Sequence, residues 1–209
     1  MMRQTGPACR ICRREEKKLF LKGERCLKAK CAIDRERPIP GMHQKRKAKL
    51  SGYGEQLRAK QQIRRSYGLG ERQFRKVFGI AAGKKGITSF NLLVLLEFRL
   101  DNIVYRSGLS LSRALARQMV THGHIKVNGR RVNIPSYTLK AGDVISIKAS
   151  NKSTAMTAKN IEVTATTNKI PEWISFDKES SKVQIVRLPE PGEIQAPADE
   201  QLVVELYSK

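Results

Sequence analysis

The chain has 209 residues, with 41 Lys and Arg against 19 Asp and Glu, a formal net charge of +22. That length accommodates one or two domains. Such an excess of cations opposes compaction by self-repulsion and favours polyanions through counterion release. Nucleic acid is therefore the expected main partner, and a merely solvated basic surface is the bland alternative. The longest apolar run, Leu92 to Leu96, is far too short to span a bilayer. No apolar signal core precedes the cysteines, so a cytoplasmic protein with no membrane partner is expected.

The charge is unevenly placed. Residues 1–150 hold 34 Lys and Arg against 10 Asp and Glu, a net of +24, whereas residues 151–209 hold 7 against 9. The four cysteines all lie within the first 31 residues, as Cys9-x2-Cys12 and Cys26-x4-Cys31. Two close pairs on a short connection can place four thiolates tetrahedrally around Zn²⁺. Few apolar residues surround them, so metal binding would supply the folding energy of residues 1–45. Arg10, Arg13, Arg14, Lys28 and Lys30 would offset the charge of such a site. A disulfide pair is the bland alternative. An iron–sulfur cluster is the other functional one, since four-cysteine ligation alone does not separate zinc from iron–sulfur.

Pro38, Pro40 and Gly41 open a connector that leads to the cation run Lys45, Arg46, Lys47 and Lys49, expected as an extended arm along phosphates. The pattern from Ser51 to Phe78 is helical and broken at Gly68, with Leu57, Tyr67, Phe74 and Phe78 as candidate core. Arg58, Lys60, Arg64, Arg65, Arg72 and Arg75 make the segment too basic for a neutral surface. Asn91 to Ser107 reads as one long helix, with Leu92, Leu96, Leu100 and Ile103 or Val104 on its apolar face.

A second helix is expected between Ser112, a good N-cap, and Gly123, a good stop. Leu115 and Met119 share one face of it. Arg113 and Arg117 share another, at the end where the helix dipole favours an anion. Asn128-Gly129 then signals a two-residue turn. That turn pairs Val127 with Arg130, Lys126 with Arg131, and Ile125 with Val132. Ile125, Val127, Val132 and Ile134 fall on one face, and Lys126, Arg131 and Asn133 on the other. Two cations directly opposed destabilise a hairpin, an arrangement that makes sense under a polyanion. Gly142-Asp143 marks another turn and Val144 to Lys148 a further strand. Beyond it, 161–163, 183–188 and 202–207 are expected as strands. Trp173, Ile174 and Phe176 form a local apolar cluster.

The arginine-bearing helix, Gly123-His124-Ile125-x-Val127-Asn128-Gly129-Arg130-Arg131-Val132, Pro135-Ser136-Tyr137 and Gly142-Asp143 together resemble the small RNA-binding module named after ribosomal protein S-four. The similarity extends to the four-cysteine N-terminus, Tyr53-Gly54-x-Gln56-Leu57-Arg58-x-Lys60-Gln61, Tyr67-Gly68, Glu71-x-Gln73-Phe74-Arg75 and Asn102-x-Val104-Tyr105-Arg106. These look like the bacterial-type family of S-four proteins of the small ribosomal subunit. Met42 departs from the pattern, where the family often carries glutamine, and residues 150–170 match nothing in it.

The resemblance implies an α+β fold. It has an N-terminal zinc-clipped segment (1–45) and a helical domain (46–97, with 170–209 packing near it). An inserted mixed α/β RNA-binding module occupies 98–169. It implies direct, early binding to small-subunit ribosomal RNA near a helical junction of the 5′ domain. It also implies neighbouring small-subunit proteins, a place near the messenger RNA entry region and a contribution to translational accuracy. In many bacteria the family represses its own translation. Expected phosphate contacts in the module are Arg113, Arg117, Lys126, Arg130 and Arg131. Asn128, Ser136 and Tyr137 are expected at hydroxyls or base edges, with His122 and His124 beside them. The zinc ligands would be Cys9, Cys12, Cys26 and Cys31.

No phosphate loop, dinucleotide fingerprint, paired carboxylate motif or base-activated nucleophile occurs, so binding rather than catalysis is expected. An RNA-modifying enzyme of the pseudouridine synthase type would use the same module. However, the 59 residues after position 150 are too few for its catalytic domain. A free RNA chaperone would need neither the basic arm nor the cysteine clip.

Overall fold

The structure, a computed structural model, describes residues 6–42, 49–148, 151–165, 170–177 and 180–208. In chain order its helices and strands are α1 (Ala8–Glu15), α2 (Gly52–Ser66), α3 (Glu71–Ala82), α4 (Thr88–Glu97), α5 (Leu100–Arg106), α6 (Arg113–Thr121), β1 (Ile125–Val127), β2 (Arg130–Arg131), β3 (Val144–Ile147), α7 (Asn151–Ala165), β4 (Ile174–Asp177), β5 (Lys182–Ile185) and α8 (Gln201–Tyr207). The class is α+β. Two compact units form, residues 1–93 with 195–209, and residues 94–194.

The first unit is helical. The Ser51 hydroxyl accepts from the Gly54 amide at 3.2 Å and starts α2. Gly68, at a φ of +65°, lets the chain turn between α2 and α3. Ile63, Leu69, Phe74 and Val203 are buried in its interior, while Leu57 and Phe78 are half-buried. Residues 202–207, expected as a strand, are the helix α8 instead. A short apolar run does not distinguish the two by itself. Here Val203 turns inward, the Tyr207 ring lies 4.5 Å from that of Phe78, and Gln56 donates to Glu205 at 2.8 Å.

The second unit is built on a five-stranded antiparallel sheet in the order β2-β1-β3-β5-β4. Val127 pairs with Arg130 and Lys126 with Arg131, the register that the Asn-Gly turn implies. Asn128 and Gly129 take φ values of +48° and +79°, as that turn requires. Ile125, Val127, Ile145, Val183 and Ile185 bury one face of the sheet against Leu100, Ile103, Val104, Ala116 and Met119. Ile134, assigned above to this apolar face, is exposed. Trp173 and Ile174 enter the core with Phe176 packed against it, and Trp173 also stacks on the sequence-distant Phe98 with ring centres 5.4 Å apart. Residues 170–194, which the resemblance placed beside the helical domain, group with the sheet through β4 and β5.

Asn91 to Ser107 is not one helix. The chain is extended at Arg99, at φ −72° and ψ 138°, between α4 and α5. The segment 135–139 causes the break. Leu139 donates to the Phe98 carbonyl, Leu100 to that of Tyr137, and Asp101 to that of Pro135, at 2.9, 2.9 and 3.1 Å. Backbone groups so engaged cannot serve a continuous helix.

Residues 161–163, expected as a strand, lie within α7. Its buried stripe is Ser153, Thr157, Asn160 and Thr164, a helical spacing written in small polar residues and invisible to hydrophobic periodicity. Asn160 Nδ2 donates to the Leu109 carbonyl at 3.0 Å and Thr164 Oγ1 to that of Gly108 at 2.8 Å. These bonds satisfy carbonyls just beyond α5.

Candidate nucleic-acid interface

The hairpin β1–β2 carries a group of exposed cations in the second unit. Arg130 and Arg131 are fully on the surface and Lys126 is half-buried. The register holds Lys126 directly opposite Arg131. Strand alternation puts Ser146, opposite Lys126, on the same face. Lys148, two residues on, follows it there and is exposed. The outer face is thus a row of polar and cationic groups over an apolar underside. Lys148 was missed in the sequence because its cross-strand neighbours are set by the β1–β3 register.

Gly123 shapes this site in two ways. Its φ of +72° ends α6. It also leaves room for Arg131, whose Nε would lie 2.0 Å from a Cβ at position 123. The Arg131 guanidinium therefore lies across a bare backbone, with a long contact of 3.5 Å to the His122 carbonyl. The His122 and His124 rings are nearly parallel, with centres 6.3 Å apart. His122 is exposed, whereas His124 Nδ1 shares a 2.8 Å hydrogen bond with Ser153 Oγ. Ser136 and Tyr137 are exposed beside Pro135.

Asn128, Arg113 and Arg117, assigned above to RNA, also have structural partners within the unit. Asn128 Oδ1 accepts from the Val144 amide at 2.9 Å and its Nδ2 donates to Asp143 at 2.8 Å, so it ties the hairpin to β3. Arg113 Nε donates to Asn102 Oδ1 at 2.8 Å, and its guanidinium sits 4.6 Å from the centre of the Tyr105 ring. Arg117 Nη1 donates to Asp101 at 3.2 Å, where Arg99 already makes two hydrogen bonds at 3.0 and 2.8 Å. Neither α6 arginine is an open surface group, and both pin α6 to α5. Spacing along α6 could not show this, because the partners Asp101 and Asn102 come from another helix.

The cations of the first unit divide likewise. Arg58 and Arg65 both bind the buried carboxylate of Glu15, the former at 3.2 Å. Lys60 is itself buried and donates to Glu71 at 2.6 Å, with Arg64 3.4 Å from the same carboxylate. Arg72 and Arg75 on α3 and Lys49 remain exposed. Lys45, Arg46 and Lys47 lie outside the described residues.

All four cysteines are free thiols. Cys12, Cys26 and Cys31 are buried and Cys9 half-buried. Burial, and then the proximity of the other cysteines, pushes Cys12 and Cys26 above the ordinary thiol value, against hydrogen bonds from Leu19 and Lys22. The Lys22 amide donates to Cys26 Sγ at 3.3 Å. Among the described residues, no three Cys, His, Asp or Glu side chains have metal-ligand geometry.

Comparison with known proteins matches residues 3–97 to the ribosomal protein S4/S9 N-terminal domain and residues 98–145 to the S4 domain. Over its whole length the chain is 54% identical to the small ribosomal subunit protein uS4 of Acetivibrio thermocellus, covering 100% of that protein as well. It is 52% identical to the uS4 of Ruminiclostridium cellulolyticum and 48% identical to that of Thermoanaerobacter pseudethanolicus, again over 100% of each chain. Similarity of this extent and identity places the chain in the small ribosomal subunit protein uS4 family.

Proposed function

We propose that the protein is a structural constituent of the small ribosomal subunit and acts by binding small-subunit ribosomal RNA. The observation that carries this is the Lys126–Arg131 pair, two cations held in register on an exposed strand face. Such a pair weakens a free hairpin and is relieved by phosphates. RNA helices are read through their backbone and shape, because their deep groove excludes side chains. Lys126, Arg130, Arg131 and Lys148 in the module serve that role, with Arg72 and Arg75 on α3. Ser136, Tyr137 and His122 supply hydroxyl, aromatic and imidazole groups beside them.

The partners of this reading are ribosomal RNA of the 5′ domain and neighbouring small-subunit proteins, in the cytoplasm. A position near the messenger RNA path, a part in decoding accuracy and repression of its own translation extend it. Titration with a 5′-domain RNA fragment tests the core statement. Wild-type protein should bind it tightly, and Lys126→Gln with Arg131→Gln should weaken binding at unchanged melting temperature. Equal binding by that variant would refute the assignment.

Cys9, Cys12, Cys26 and Cys31 are the residues that would hold Zn²⁺. The spacing of Cys9-x2-Cys12 and Cys26-x4-Cys31 and the burial of Cys12, Cys26 and Cys31 support this reading, although among the described residues the side chains do not have metal-ligand geometry. Zinc there would supply charge to the thiolates and closure of residues 6–42. Cys12→Ser should lose the ion in metal analysis and loosen this segment to protease while the sheet unit stays folded. Full metal occupancy in the variant would overturn the proposal.

A further inference from the structure

We propose that Asn128 is a site of spontaneous covalent modification, a deamidation site that the folded hairpin shields and whose product dismantles the cationic strand face. The effect on RNA rests on the reading above, whereas the chemistry at Asn128 stands without it.

Asn128 is the only asparagine of the chain that is followed by glycine. Gly129 has no side chain to hinder its own amide nitrogen, so that nitrogen can attack the side-chain carbonyl carbon of Asn128. The new C–N bond closes a succinimide ring. The attacking amide gives up its proton, and the Asn128 side-chain nitrogen leaves as ammonia. Water then opens the ring at either carbonyl. One opening yields aspartate. The other yields isoaspartate, in which the main chain runs through the former side chain and gains a methylene. Both residues are exposed, so water reaches them.

The fold holds Asn128 back from this reaction. Its Nδ2 donates to Asp143 Oδ1 at 2.8 Å, and its Oδ1 accepts from the Val144 amide at 2.9 Å. Its own backbone amide donates to the Val144 carbonyl at 2.8 Å. The side-chain amide is therefore turned across to the start of β3, and both of its ends must let go before it can swing onto the Gly129 nitrogen. The two-residue turn adds to the restraint by fixing φ at +48° and +79°. Reaction belongs to the chain with its hairpin open, during folding or local unfolding.

Asp143 makes the product incompatible with this arrangement. Its Oδ2 accepts from the Lys140 amide at 2.8 Å and its backbone carbonyl from the Ile185 amide at 3.1 Å. It cannot turn aside without losing these bonds. An aspartate at 128 puts a carboxylate oxygen where the Nδ2 donor stood, so two like charges meet. Isoaspartate lengthens a turn whose length sets the register. Either product loosens the β1–β2 hairpin from β3 and with it the pairing that holds Lys126 opposite Arg131. It also adds a negative charge beside Arg130, on the side where phosphates bind.

The test uses the full chain at mildly alkaline pH, native and in urea, with peptide mass mapping at every asparagine. Exchange of NH2 for OH at Asn128 should be much faster in urea than in the native protein. The other asparagines, followed by Leu, Ile or Lys, should react slowly in both. Equal rates at Asn128 in the two conditions would overturn the shield.

Two variants test the consequence. Asn128→Asp imitates the aspartate product. It should melt at a lower temperature and bind the 5′-domain RNA fragment roughly tenfold or more weakly. Asn128→Asp with Asp143→Asn exchanges the two groups, restores a donor facing an acceptor at unchanged net charge, and should recover most of both losses. A single variant that melts and binds as wild type does would overturn the disabling role. So would an exchange that recovers neither loss, because repulsion by Asp143 would then not be the cause. If wild type itself fails to bind the fragment, the RNA reading falls, while mass mapping and melting still decide the fate of Asn128.

Discussion

Asp101 and Glu97 show how single residues redirect a basic sequence from binding to structure. The Asp101 carboxylate accepts from Arg99 and Arg117, and the side chains of Arg99 and Asp101 are only 6% and 7% exposed. Glu97, fully buried, accepts from Arg106 at 2.7 Å and from Asn102 at 2.7 Å. Asn102 passes the network on to Arg113. Arg113→Ala with Arg117→Ala should therefore unfold more easily, by about 1–3 kcal/mol for the acceptor left unpaired on Asn102. Binding per folded molecule and its salt slope should change little. Parallel melting and RNA titration check this, and a stable variant with weakened binding would return these arginines to the RNA face. Gly123→Ala makes the opposite demand. A Cβ there meets the Arg131 guanidinium and a positive φ, so Arg131 must move, stability should fall by roughly 1 kcal/mol or more, and RNA affinity should fall with it.

Among the elements, α8 depends on α2 and α3 for its place. Tyr207 Oη donates to Glu71 at 2.9 Å, and Lys60 Nζ donates to the same carboxylate at 2.6 Å. Burial alone would raise Glu71, but the bonds from Lys60 and Tyr207 outweigh it and leave its pKa below the ordinary value. Burial first, and then Glu71, pushes the Tyr207 hydroxyl above its ordinary value. The signs set two limits. A depressed carboxylate stabilises above its unfolded value of 4.5 and loses this as pH falls through the folded one. A raised phenol stabilises below its unfolded value of 10.0 and loses this as pH rises through the folded one. Tyr207→Phe keeps the ring against Phe78 and removes the hydroxyl. It should cost about 1 kcal/mol at neutral pH and flatten the loss of stability above pH 10.0. Urea unfolding of both proteins at neutral and alkaline pH measures it.

For the whole molecule, charge governs function more than stability. The net of +24 over residues 1–150 predicts a steep salt dependence. RNA affinity should fall roughly a thousandfold or more between about 50 and 200 mM salt if about 6–10 phosphates are neutralised. A flat dependence in filter binding would contradict phosphate-dominated recognition. The same charge explains why so many arginines carry internal partners. Glu15, Glu71, Glu97 and Asp101 each hold two or more cationic or amide groups. These four buried or half-buried carboxylates are each used more than once.

Local signals needed nothing beyond the amino-acid order. Ser112 as an N-cap, Gly123 as a stop, and Asn128-Gly129 with its register all stand in the structure, because each depends on residues within one turn of the chain. The family, too, was legible in motifs that survive as contiguous strings. Packing of distant segments settled which cations are free. Arg113 and Lys60 look no different from Arg130 until Asn102 and Glu71 arrive from elsewhere in the chain. Packing also broke the helix at Arg99, since the competing hydrogen bonds come from residues 135–139. It made α7 and α8 helices, where a short apolar run or a stripe of small polar residues carries no period that hydrophobicity can report. Local conformation is written in neighbours, but the partner that frees or spends a charge is chosen by packing.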